Sequence, residues 1–118
     1  MPGAVIDAAA LARLRDLDPD DSRGFLRQLL QTYEASMVRH LGRLGALDAV
    51  ADAKAAGEIA HTLKSSSGSV GALAFSARCA ERERCVKNGA MGDIVPALNA
   101  VRTEGDRVLE AVRAMLQN

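Results

Sequence analysis

Ala60-His61-Thr62-Leu63-Lys64-Ser65-Ser66-Ser67-Gly68 is the stretch from which the rest of this 118-residue chain is best read, and Lys54-Ala55-Ala56-Gly57-Glu58-Ile59 leads into it. Together they predict one helix. At about 100° per residue, Ala56, Ile59, Ala60, Leu63 and Val70 gather on one side as a core stripe. His61 stands about 200° round from Ile59 and therefore points the other way. Its helical neighbours are Gly57 at i−4, Glu58 at i−3, Lys64 at i+3, Ser65 at i+4 and Gly68 at i+7. The imidazole is expected to project into water from a nearly bare face with one ammonium beside it. Glycine inside a helix costs about 1 kcal/mol relative to alanine. Two on one face imply that something needs that face to be flat.

Composition narrows the classes of fold and partner. Hydrophobic residues make up 48% of the chain but aromatics only 3%, and alanine dominates the apolar set. That mixture suits close-packed helices better than a sheet, which favours β-branched and aromatic side chains. Fifteen basic and fifteen acidic residues cancel, so no global field favours nucleic acid or an anionic membrane. No apolar run approaches the ~20 residues of a membrane span. The beginning, Met1-Pro2-Gly3-Ala4-Val5-Ile6-Asp7, lacks the basic flank and long apolar segment of a secretory signal. The expectation is one soluble, cytoplasmic domain over residues 1–118. Cys79 and Cys85, the only cysteines, turn about 600° apart on a predicted helix. They match neither disulfide nor zinc spacing, and read as small, partly buried residues.

In chain order, Asp7 caps a short helix predicted over about Ala8 to Arg15, with Leu11 and Leu14 inward. Leu17-Asp18-Pro19-Asp20 breaks it. Asp20, Asp21 and Ser22 are the N-cap candidates for the longest periodic segment, in which Phe25, Leu26, Leu29, Leu30, Tyr33, Met37, Leu41 and Leu44 recur at three- and four-residue intervals. Gly42 and Gly45 weaken its end, and His40 reads as a boundary or surface histidine. Asp52 begins or caps the His61 helix, which should end near Gly68 or Ser69. A further helix follows from about Ala72 to Lys87, closed by Asn88-Gly89. Its apolar stripe is poor: Phe75, Cys79 and Val86, with Glu83 near the same side. Gly92-Asp93 opens the last helix, with Pro96 in its first turn and Ile94, Leu98, Val101, Val108, Val112 and Met115 inward. Gly105 stands there where an apolar residue is due, which lets a neighbouring helix come close. No segment alternates over a strand's length. The fold class is all-α: an antiparallel four-helix bundle with a short additional N-terminal helix.

Four functions compete for the His61 face. His61 can be a plain exposed histidine, although a merely solvated face would carry more Glu, Lys and Arg. Glu58-x-x-His61 has the spacing of di-metal bundle sites, but such sites need a second pair and inward side chains. The face can instead be a docking surface for a signalling partner, with no chemistry at His61. Last, a neutral imidazole, with its ordinary pKa of ~6.5, is a nucleophile that could accept a phosphoryl group. Lys64 would balance its charge and Ser65 add a hydrogen bond. Only this fourth reading accounts for the glycines, the lysine and the outward histidine together.

The run from Ala60 to Ala72 closely resembles the signature of histidine-containing phosphotransfer (HPt) domains, roughly Ala-His-Thr-Leu-Lys-Gly-Ser followed by a hydrophobic-Gly-Ala step. The resemblance extends to Cys79 and Glu83 and to the helix pattern over nearly the whole chain. It implies that His61 is the phosphoacceptor and that Lys64 assists; the bare face around the histidine makes Gly57, Glu58 and Gly68 the residues expected to meet the partner. The partners it implies are receiver domains of response regulators or hybrid kinases, which present an aspartyl phosphate and Mg²⁺. The chain itself would then bind no cofactor, act as a carrier rather than an enzyme, and stay monomeric so that His61 is free. Three residues depart from the pattern: Ser65 replaces a glycine, Arg82 a leucine, and Gly57 a larger residue. Sensor-kinase phosphoacceptor domains differ, usually placing an acidic residue after the histidine and a proline a few residues on. No Gly-x-x-x-x-Gly-Lys loop is present.

Overall fold

A computed structural model describes residues 5–22, 24–47, 51–88 and 91–117, with 87, 88, 91–95, 97 and 98 by backbone alone. Among them the chain forms helices α1 (Ala8–Arg15), α2 (Phe25–Ala46), α3 (Ala53–Ser69), α4 (Leu73–Asn88) and α5 (Met91–Gln117), and no strand. The last four close a ring in which α3 packs on α2 and α4, and α5 on α4 and α2. Cross-helix pairs fix the directions. Arg113 meets Glu34, and the Arg27 guanidinium donates to the Leu116 carbonyl, so α2 and α5 run antiparallel. Lys64 meets Glu83 and Gly57 faces Val86, so α3 and α4 do as well. The result is a rod of 48 × 26 × 22 Å, with α1 laid against one end.

The core is built from small and medium side chains. Leu30, Tyr33, Met37 and Leu44 enter it from α2; Ala56, Ile59, Ala60 and Leu63 from α3; Phe75 and Cys79 from α4; and Val101, Val108 and Val112 from α5. These are the stripes read from the sequence. One polar pair is enclosed with them, the Tyr33 hydroxyl and Ser67 Oγ at 2.7 Å. Burial pushes the Tyr33 phenol up to about 12 and the Cys79 thiol likewise up to about 12. The thiol therefore stays protonated at neutral pH and is inert. Both cysteines are free, Cys85 being half-buried.

Gly105 behaves as its place in the stripe requires: a Cβ there would stand 2.8 Å from Leu41 Cδ2. Leu41 thus packs directly on the α5 backbone. α1 has its expected cap, with the Ala10 N–H donating to Asp7 Oδ2 at 2.9 Å. The Asp7 N–H in turn donates to the Gly71 carbonyl at 2.8 Å, which moors the short helix to the α3–α4 turn.

Three expectations need correcting. The cap of α2 is none of Asp20, Asp21 and Ser22. Gly24, in the left-handed region, holds the N-cap position, and Asp18 accepts from the Phe25 N–H at 3.1 Å across seven residues. Asp20 instead accepts from the Ser22 N–H in a local turn. α5 begins at Met91, so Pro96 lies within the helix, beyond its first turn. Asp52 does hold the N-cap position of α3, but its side chain makes no capping bond. Asn88 ends α4, while Gly89 of the expected Asn88-Gly89 pair and the side chains of Ile94 and Leu98 fall outside what the structure describes.

Arg82 is the anomaly of the core. It follows the inward rhythm of Phe75 and Cys79, is 1% exposed, and none of its guanidinium nitrogens has a hydrogen-bond partner among the described residues. Burial lowers its pKa. A buried charge without a partner destabilises by several kcal/mol. Arg82→Met, which keeps the chain length and removes the charge, should raise unfolding free energy by about 1–4 kcal/mol in urea titrations. A loss of stability would mean that the guanidinium is satisfied in solution.

Candidate functional site

In the hydroxyl-rich segment of α3, side chains bond back to their own turn. Thr62 Oγ1 donates to the Glu58 carbonyl and Ser69 Oγ to the Ser65 carbonyl. Two contacts hold α4 close alongside. At one end a Cβ added to Gly57 would lie 3.1 Å from Val86 Cγ1. At the other, Ser76 Oγ donates to the Lys64 carbonyl at 2.8 Å. Between these ties the two helices share one polar cluster.

Its centre is Glu83, whose side chain is only 12% exposed. Oε2 lies 2.6 Å from His61 Nδ1 and Oε1 2.9 Å from Lys64 Nζ. The hydrogen bond from Lys64 draws the Glu83 carboxyl below its usual 4.5, and that from His61 acts the same way, against the opposing effect of burial. An ionised carboxylate only accepts hydrogen bonds. Nδ1 of His61 must therefore carry the hydrogen it shares with Glu83, and in the neutral ring the free lone pair is on Nε2. Nε2 makes no hydrogen bond among the described residues. The His61 side chain is 61% exposed. One nitrogen is fixed by the fold, and the other is offered to solvent.

Most of the remaining residues singled out from the sequence lie near this centre. Lys64 is half-buried and held by the same carboxylate, while Glu58, Ser65 and Gly68 are exposed. Gly57 is not on an open face as expected: it is buried, with Val86 against its Cα. It sits at the edge of the helix where α4 approaches, and it is the missing side chain that permits the approach. His40, away from this site, is half-buried and bonded through Nδ1 to Ser36. Glu58 and His61 both point outward, and among the described residues no group of three or more His, Cys, Asp or Glu is placed to hold a metal ion. What sequence reasoning missed is the partner of Glu83. Its place near the inner side of α4 was legible; its reach across to α3 was not.

A family model for the Hpt domain matches residues 28–118. Among solved structures, the crystal structure of histidine-containing phosphotransfer protein B (HptB) from Pseudomonas aeruginosa PAO1 is similar in fold. It has a TM-score of 0.82 and 23% identity over 98% of this chain and 97% of that one. No curated protein matches the chain.

The acid limb of the stability curve tests this geometry. A depressed folded-state pKa means that Glu83 contributes stability above its unfolded pKa of 4.5 and loses it as pH falls through the lower folded value. The stability that Glu83 contributes relative to Glu83→Gln should be present at pH 5 and shrink as pH falls below ~4.5. A difference independent of pH would mean that the carboxylate is not paired.

Proposed function

Because the chain belongs to the Hpt domain family, we propose that it is a phosphorelay carrier in which His61 Nε2 takes a phosphoryl group from the aspartyl phosphate of one receiver domain and passes it to the aspartate of another. Hpt domains are phosphocarriers of two-component signalling, and the observation that supports giving the role to His61 is the exposed imidazole held through Nδ1 by Glu83. In the forward step Nε2 attacks phosphorus, the N–P bond forms, and the P–O bond to the partner's aspartate breaks with that carboxylate leaving. The ring keeps the hydrogen on Nδ1 and becomes cationic. Glu83, 2.6 Å away, stabilises the charge as it develops, without any reorganisation of the site. The same arrangement serves the reverse step, since a cationic ring is the better leaving group.

Lys64 has two anions to serve. In the free chain it bonds Glu83 Oε1. With a phosphoryl group on Nε2, an ammonium one helical turn along α3 would offset the charge of both that group and the carboxylate. Ser65 adds a hydroxyl on the same face, and Glu58 and Gly68 form the surface that the receiver meets. Mg²⁺ on the receiver would supply the balancing charge from the partner's side. The phosphoryl donor is itself a protein, and this chain supplies a nucleophile and its local charges.

Incubation with a phosphorylated receiver should label the wild-type chain, and His61→Gln should abolish the label. Label surviving in that variant would move the site elsewhere. Lys64→Ala should slow transfer about tenfold, equivalent to ~1.4 kcal/mol in the barrier, with little change in melting temperature because Lys64 is off the core stripe. An unchanged rate would remove the lysine from the mechanism. A variant at His61 that binds receivers and still supports signalling would show an adaptor instead.

A further inference from the structure

Arg82 and Cys85 stand one turn apart on α4. The guanidinium is 1% exposed, and none of its nitrogens has a hydrogen-bond partner among the described residues. A guanidinium carries only N–H donors, held in a planar fork, so what it lacks is an anion. Helical side chains lean back toward the N-terminus, which brings the Cys85 sulfur over the turn that carries Arg82. Burial lowers the Arg82 pKa, and a negative charge on Cys85 opposes that effect. The nearby acids are engaged elsewhere: Glu81, one turn before Cys85, lies 3.6 Å from Arg78, and Glu83 holds His61 and Lys64. Cys85 itself is free and half-buried, whereas Cys79 is wholly enclosed, with its thiol pushed up to about 12.

We infer that Cys85 is a modification site for hydrogen peroxide, and that the oxidised, anionic sulfur becomes the missing partner of Arg82. In this step the Cys85 thiolate attacks one peroxide oxygen; an S–O bond forms and the O–O bond breaks. The leaving hydroxide takes up the proton shed by the thiol and departs as water. The electron pair lost by sulfur is the pair gained by the peroxide. The sulfenic acid ionises to a sulfenate, and a second peroxide carries it to the sulfinate, which bears a pair of acceptor oxygens. The guanidinium fork suits such a pair as it suits a carboxylate. Reactive cysteines are partly exposed and lie beside positive charge, whereas enclosed ones are inert. Cys85 and Cys79 are thus each other's comparison within one helix. Arg82 thereby acquires a use, since a charge that destabilises the reduced chain is answered once Cys85 is oxidised. Neither residue takes part in phosphoryl transfer, so this chemistry is independent of the carrier role.

The test treats the full chain with hydrogen peroxide in the presence of dimedone, which traps sulfenic acids, and follows both cysteines by peptide mass spectrometry. In the folded wild type Cys85 should be labelled at least about tenfold faster than Cys79, and in urea the two rates should converge. Arg82→Met should slow the labelling of Cys85 about fivefold. Comparable rates at the two cysteines of the folded chain, or an unchanged Cys85 rate in Arg82→Met, would overturn the inference. A second measurement needs no substitution at Arg82. With excess peroxide and no trap, conversion of Cys85 to the sulfinate should raise the wild-type melting temperature by several degrees, measured against a Cys85→Ser control that corrects for methionine oxidation. A fall, or no change, would show that the oxidised sulfur does not meet the guanidinium, and the inference would be lost.

Discussion

One carboxylate, that of Glu83, is shared between an imidazole nitrogen and an ammonium on a neighbouring helix, and the organisation of the α3–α4 pair follows from keeping it there. A glutamate on α4 can bond Nδ1 of His61 and Nζ of Lys64 at once, at 2.6 and 2.9 Å, only if the two helices are close and in register. Gly57 against Val86 sets the closeness at one end, and the hydrogen bond from Ser76 to the Lys64 carbonyl fixes it at the other. Ala56, Ala60, Ala72 and Cys79 are all fully buried, and their small volumes keep the core compatible with that spacing. A bundle packed with aromatics would hold the helices farther apart, out of reach of the shared carboxylate.

The arrangement makes the two ring nitrogens unequal. Within α3 alone, His61 would rotate freely and its hydrogen would exchange between nitrogens. Glu83 removes that freedom and directs the lone pair outward. The position before Glu83 carries Arg82, buried and without a hydrogen-bond partner among the described residues, so the residue that orients His61 sits beside an unfavourable one. Local consistency fails there while the surrounding apolar stripe is intact. A site need not lie in the most stable part of a fold, provided the contacts that aim its side chains are themselves satisfied.

Much of this was legible in the sequence wherever a single helix determines the answer. The bounds of α1, its Asp7 cap and the end of α3 at Ser69 follow from capping chemistry and periodicity. So do the exposure of His61 and the inward stripe of α2. Residues were misplaced where a second element decides. Gly57 stands on the side of α3 that periodicity assigns to solvent, and α4 covers it. Asp18 caps α2 from seven residues away because the intervening turn passes through left-handed conformations at Asp21 and Gly24, a path that residue spacing does not encode. Glu83 was visible as an acid near the inner side of a helix, but its pairing depends on the register between α3 and α4. The motif singled out His61; the fold supplied the group that orients its ring.

The position of the proton on the His61 ring tests this account most directly. Long-range ¹H–¹⁵N correlation spectra of the unphosphorylated chain, recorded with the ring neutral, distinguish a protonated Nδ1 from a protonated Nε2. The account predicts hydrogen on Nδ1 and a bare Nε2 in the wild type, with the preference lost when Glu83 is replaced by alanine. Hydrogen residing on Nε2 in the wild type would contradict it, because the exposed nitrogen would then have no lone pair to offer.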